Sequence, residues 1–384
     1  MTLVLGIPKE LEDEQRVALV PDVVGRLVKQ GLEVWVEPGA GLAAGANDTD
    51  YEAAGAQVVP GDRLWAEANL VLTVAASKTL RERSDCLEKL GDRSVLIGFL
   101  DPLGDAELAQ LLADKGVTSF SMEMVPRISR AQSMDALSSQ ASIGGYKAVL
   151  LAAAGLPKYF PMLTTAAGTI APAKVLVVGA GVAGLQAIAT ARRLGAVVES
   201  FDIRPEVKEQ VQSLGANFID ITFEEETRAE GGYAKELSQA AQEHTQNVLK
   251  DHVQRSDVVI TTAQVPGKRA PRIVTEDMVN GMKPGSIIVD MAANQGGNCA
   301  YSEAGRTIIH NGVTILGPTN LPSTVAIHAS QLYAKNIQAL LKLLVKDGEL
   351  DLNFEDEIVK GACLTHGGEI QNARVKSMLE PTAV

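Results

Sequence analysis

Short apolar runs alternate along the chain with stretches whose apolar residues recur every third or fourth position. In the first third, LVLGI, GLEVWVE, ANLVLTVA, RSVLIGFL and GVTSFSME read as strands, while PDVVGRLVKQG and DAELAQLLADKG read as helices that end in glycine. This β/α rhythm predicts parallel sheets, because a parallel neighbour is reached only through a crossover. After a long helical stretch near 135–155 the rhythm restarts with KVLVVGA, AVVESFD, DVVITTA, SIIVDMA and VTILG. A last helix, STVAIHASQLYAKNIQALLKLLVKDG, is long enough to run from one domain to another. The pattern predicts an α/β protein of two domains, the second inserted in the first: residues 1–135 with 325–384, and residues 136–324. The crossover helices lie near 135–155 and 323–346. The charged, strand-poor segment ITFEEETRAEGGYAKELSQAAQEHTQNV interrupts the second domain and reads either as a surface loop before a helix or as a mobile lid carrying Tyr233.

Composition narrows the class. A length of 384 residues fits about two domains. A net charge of −12 argues against a nucleic-acid surface and against an anionic membrane. Cys86, Cys299 and Cys363 are odd in number and far apart, so neither a disulfide framework nor a zinc site is expected, and a reducing cytoplasm fits. The start MTLVLGIPKE reads as a first strand rather than a signal peptide. The most apolar region, 148–190, is broken by Pro157, Lys158, Pro161, Pro172 and Lys174 before the roughly twenty apolar residues of a membrane span accumulate.

One stretch carries specific chemistry. KVLVVGAGVAGLQAIATARRLGAVVESFD begins as a strand, turns through Gly179, Ala180, Gly181, Val182 and Gly184, continues as a helix and returns as a strand to Asp202. The first glycine permits a tight turn, the second lets the backbone approach a pyrophosphate, and the third lets helix and strand pack closely. The helix N-terminus offers N–H groups and partial positive charge to the phosphates. An acid after the second strand accepts hydrogen bonds from the ribose hydroxyls of NAD(H) and repels the 2′-phosphate of NADP(H). Asp202 therefore favours NAD(H), with Ile203 beside it, although Arg204 could attract a 2′-phosphate. The competing reading is a glycine turn that serves packing alone.

With this fingerprint, GIPKE…RVALVP near the start and GGNC and GPTNLPS near the end resemble the family containing alanine dehydrogenase and the NAD(H)-binding component of proton-translocating nicotinamide nucleotide transhydrogenase. The resemblance covers almost the whole chain and implies two Rossmann-like domains. Amino-acid oxidation needs a group that handles a proton, and alanine dehydrogenases are expected to supply a lysine, a histidine and an aspartate. The matching positions here are Ala75, Asp101 and Asn294, and the family arginine alone is kept, as Arg16. A structural role for Arg16 and Asp101 as ion-pair members is the alternative to catalysis. Hydride exchange between two nicotinamides needs only positioning and exclusion of water.

RISRAQSMDALSSQ then matches the loop of the transhydrogenase branch. The resemblance implies that Arg127 hydrogen-bonds the nicotinamide carboxamide or a nearby phosphate, and that Asp135 and Ser138 bind the carboxamide amine and the nicotinamide ribose. It implies that Gln132 reaches toward a nucleotide held by the partner. The plain alternative is that Asp135 and Ser138 cap the following helix, whose Gly144 and Gly145 allow a close crossing. Tyr233 matches the family's mobile loop, and Gln264 and Pro266 match a loop beside the cofactor. The family further implies a homodimer that binds NAD(H), with the NADP(H)-binding and membrane-spanning domains on other chains. That expectation describes a peripheral subunit on the cytoplasmic face of a membrane, or a fragment of a longer chain. The other readings are a stand-alone amino-acid dehydrogenase using NAD and a non-enzymatic NAD-binding sensor.

Overall fold

The first sheet is laid out around its first strand. A computed structural model describes residues 3–92, 94–221 and 238–379, and its contacts divide the chain into two units, Met1–Gln140 with Ser323–Val384 and Ala141–Pro322. In the first unit Val4–Ile7 pairs in parallel with Glu33–Val36 on one side and Leu70–Leu72 on the other. The chain thus runs outward through Gln57–Val58 and returns to the opposite side of its starting strand. Val95–Gly98 and Thr118–Ser121 extend the parallel sheet, and the antiparallel strands Cys363–His366 and Glu369–Ile370 finish it. The inner strands Leu70–Leu72, Val95–Gly98 and Thr118–Ser121 are buried along their whole length, as expected where helices cover both faces of a parallel sheet.

Helix Pro21–Lys29 opens on a proline, whose fixed φ suits the first helical position, and buries Val23, Val24 and Leu27. Helix Ala326–Leu344 buries Ala329, Tyr333, Ile337, Leu340 and Leu344. That stripe recurs at helical spacing and faces the core.

The second unit repeats the plan. Its seven strands lie in the order Asn217–Phe218, Val197–Phe201, Lys174–Val178, Val258–Thr261, Ile287–Asp290, Val313–Leu316, Thr307–His310, antiparallel only in the last pair. Leu176 stands beside Glu199 on one side and Val259 on the other, so Lys174–Val178 is the strand from which the connections diverge. In open α/β sheets the carboxyl end of such a strand is where ligands sit.

A hairpin of Leu163–Thr165 and Gly168–Ile170 forms a separate two-stranded sheet. Helix Ala136–Gly155 begins in the first unit and continues into the second. Among the described residues no helix is long and apolar enough to cross a membrane, and no group of acidic, histidine or cysteine side chains could hold a metal ion.

Candidate functional site

At the diverging point of the second sheet, the turn after Val178 is shaped by what its glycines exclude. Gly179 has φ +98°, and a Cβ there would lie 2.5 Å from Thr262 Oγ1. A Cβ on Gly184 would lie 1.8 Å from the Gly179 carbonyl oxygen, so strand turn and helix touch backbone to backbone. Gly181 differs: the nearest atom to an added Cβ is Arg204 Nη2 at 4.0 Å, leaving open space over the turn.

Helix Val182–Arg193 starts directly after Gly181 with no side-chain cap. Its leading N–H groups are therefore left without a side-chain acceptor, an arrangement that suits an anion. Behind it, Gly145 of helix Ala136–Gly155 lets the two helices meet, since a Cβ there would lie 2.0 Å from Ala183 O.

Asp202 follows strand Val197–Phe201 and is nearly buried. Its Oδ2 accepts from the Ala180 N–H at 2.7 Å and from Arg204 Nη2 at 2.8 Å. Its Oδ1 accepts from the Arg204 backbone N–H and Nε, both at 2.9 Å. These bonds hold the Arg204 guanidinium above its ordinary pKa. The half-buried Ile203 lies between them.

The next loop is fixed from below. Thr262 Oγ1 donates to Gly179 O at 3.1 Å. Fully buried Asn298 accepts from the Ala263 N–H at 3.1 Å and donates to Ala263 O and Pro271 O at 2.9 and 2.8 Å. Asp290, also fully buried, accepts from Thr261 Oγ1, the Ala292 N–H and the Cys299 N–H. Gln264 is exposed and donates to Met291 O at 2.9 Å, Pro266 is half-buried two residues on, and Asn294 is exposed and donates to Thr319 O at 2.9 Å.

The first unit treats the same place in its sheet differently. After Val4–Ile7, buried Glu10 accepts from the Val74 N–H at 2.5 Å and the Ala75 N–H at 3.2 Å. Burial raises its pKa to about 7, against the lowering effect of those bonds. Glu123, after Thr118–Ser121, accepts from the Leu100 and Asp101 N–H groups at 3.2 and 2.9 Å and is likewise raised by burial. Arg16 is buried in a forked pair with Glu14, at 2.8 and 2.6 Å, and donates to Gln140 Oε1 at 2.9 Å. Tyr333 donates to Thr73 O at 2.8 Å. Ala75 offers only its backbone here, and Asp101 sits exposed at φ +47°.

Arg127 and Gln132 are exposed, Arg127 in the loop after Thr118–Ser121 and Gln132 on the 3-10 turn Ser129–Met134. Asp135 follows that turn and accepts from the Ser138 N–H at 2.9 Å and from Ser138 Oγ at 2.6 Å, which is a cap on helix Ala136–Gly155. Asn336 steadies the turn by donating to Ser133 O at 2.8 Å. Tyr233 lies outside the described residues.

Sequence reasoning missed Glu10, Glu123, Thr262, Asp290 and Asn298. Thr262 and Asp290 share a visible signal: each is a polar residue closing, or standing just beyond, an otherwise apolar strand run.

Family models described as alanine dehydrogenase/PNT, N-terminal domain, and alanine dehydrogenase/PNT, C-terminal domain, match residues 6–144 and 148–373. The chain is 47% identical over 373 residues to NAD(P) transhydrogenase subunit alpha of Cereibacter sphaeroides, covering 95% of this chain and 70% of that one. It is 42% identical over 384 residues to NAD(P) transhydrogenase subunit alpha of Haemophilus influenzae, covering 99% and 74%. The crystal structure of transhydrogenase from Sinorhizobium meliloti superposes with a TM-score of 0.84 at 43% identity, covering 96% of this chain and 99% of that one.

Proposed function

Since the chain belongs to the alanine dehydrogenase/PNT family, we propose that it is the NAD(H)-binding subunit of a proton-translocating transhydrogenase. In this reading hydride passes directly between NAD(H) on this chain and NADP(H) on a partner subunit. The observation that carries it is the loss of the lysine, histidine and aspartate side chains that the alanine dehydrogenase branch is expected to supply. Where amino-acid oxidation would need an acid–base set, this chain has the side chains of Ala75 and Asn294 and the exposed Asp101, and Arg16 is tied into Glu14.

The turn of the second unit fits a dinucleotide: open space over Gly181, an uncapped helix terminus, and an acid at the ribose position. The bound nucleotide supplies the hydride-carrying carbon, so the protein's role is to bind, orient and keep out water. Gly179 to Gly184, with the N–H groups from Val182 onward, would bind the pyrophosphate, while the Ala180 N–H stays on Asp202. Asp202 would accept from the ribose hydroxyls, with Ile203 and Arg204 beside it. For Arg127, Asp135 and Ser138 we propose the nicotinamide-orienting roles implied by the family. For Gln132 we propose contact with the partner's nucleotide, and for Tyr233, Gln264 and Pro266 supporting contacts. Capping by Asp135 and a cofactor contact are compatible, because a carboxylate offers several acceptor positions. A homodimer, and attachment to a membrane-spanning partner on the cytoplasmic face, complete the proposal.

Mixed with an NADP(H)-binding partner subunit, the chain is expected to let NADPH reduce an NAD analogue. Reduction of NAD by alanine or another amino acid with this chain alone would establish the dehydrogenase reading instead. NADH binding with neither reaction would leave a sensor.

A further inference from the structure

Both groups that decide between NAD(H) and NADP(H) in fingerprint sites, an acid and a neighbouring arginine, are present in this one, and they are bonded to each other. A carboxylate has about four acceptor positions, and those of Asp202 are taken by the Ala180 N–H, the Arg204 backbone N–H, Arg204 Nε and Arg204 Nη2. A ribose diol reaches Asp202 by replacing some of these bonds, and those made by the Arg204 side chain are the ones a rotamer change can release. The guanidinium meanwhile stands at the mouth of the turn, 4.0 Å from where a Gly181 Cβ would be.

We propose that Asp202 and Arg204 form a paired specificity element, in which Asp202 takes the ribose diol and also withholds Arg204 from a 2′-phosphate. Neutralising Asp202 alone then opens the site to NADP(H) through Arg204. The inference rests on the reading that a nicotinamide dinucleotide seats on Gly179–Gly184. It also explains what the carboxylate protects, since a chain that accepted both nucleotides would exchange hydride between identical carriers to no effect.

The test titrates NADH and NADPH, followed by nicotinamide fluorescence, into the full chain, D202N and D202N/R204Q. Asn keeps an acceptor for the Ala180 N–H, and thermal melting checks that the fold is retained; if D202N does not fold, D202S takes its place. The wild type is expected to prefer NADH. In D202N the NADPH affinity is expected to rise by about tenfold or more and to weaken with salt. In D202N/R204Q that gain is expected to vanish. A folded D202N that binds NADPH no better than the wild type, or a gain that survives in D202N/R204Q, overturns the pair while leaving the seating intact. A wild type that binds neither nucleotide overturns the seating and the pair with it.

Discussion

The two units each have a strand from which the chain diverges to both sides, Val4–Ile7 in one and Lys174–Val178 in the other, and they end those strands in opposite ways. After Val178 come glycines, open space and a helix terminus without a side-chain cap. After Ile7 comes Glu10, whose carboxylate accepts from the loop N–H groups of Val74 and Ala75, while Glu123 does the same for Leu100 and Asp101. At its diverging strand the second sheet is followed by a helix whose first N–H groups have no side-chain cap, although Asp202 holds the Ala180 N–H, whereas in the first sheet Glu10 and Glu123 satisfy the loop N–H groups with carboxylates. Position in an α/β sheet offers a site; the residues that follow the strand decide whether it is used.

The largest effect is expected where the first unit has buried charge. R16A removes the guanidinium that pairs with the Glu14 carboxylate, whose side chain is 2% exposed, and is expected to cost about 3–5 kcal/mol in denaturant unfolding. E14Q/R16L removes both charges and is expected to recover much of that loss. If it does not, the forked pair is more than a plug.

In the second unit, G184A drives a Cβ to 1.8 Å from Gly179 O and is expected to cost about 1–3 kcal/mol, with NADH binding lost. G181A meets open space and is expected to leave the melting temperature unchanged while lowering NADH affinity by about tenfold or more, since its methyl group occupies the space offered to the pyrophosphate. Equal melting and binding losses for both variants would mean that the turn serves packing alone.

The plugged end also predicts a pH dependence. Burial lifts Glu10 from 4.5 to about 7 in the fold, so between those values the folded chain holds a proton that the unfolded chain has released. Stability from this group is fully present below about pH 4.5 and is lost as pH rises through 7, on the order of 1–3 kcal/mol. Glu123 is shifted in the same direction. E10Q is expected to flatten that region of the stability profile. The smallest effect is expected for D135A, which removes the cap made to Ser138 at a cost of about 1 kcal/mol. D135N should restore most of that stability, so any change in nucleotide affinity that D135N retains reports a contact beyond the cap.

Much of the fold was legible because it is written in local pattern. VVIT and IIVD are buried at every position and read as strands of a covered sheet, and GAGVAG carries its turn in its glycines. What was not legible is written in pairings across long separations or in very short elements. The bond from Glu10 to Val74 joins positions 64 apart, and nothing near Glu10 marks it as buried. Cys363–His366 and Glu369–Ile370 are too short for alternation to show, and they complete the sheet by pairing with Thr118–Ser121 and with each other. The place of Asp202 directly after the second strand was legible in the sequence. Its engagement by Arg204 depends on both side chains turning to the same side of a loop, which no periodicity describes.

The most direct test of direct hydride exchange is isotopic. NADH carrying deuterium at the transferable C4 position is incubated with this chain, an NADP(H)-binding partner subunit and NADP in ordinary water, and the NADPH formed is analysed by mass. Direct transfer predicts that the NADPH carries the deuterium, with none lost to solvent. NADPH without the label, or no NADPH beside a chain that reduces NAD with an amino acid, would contradict it.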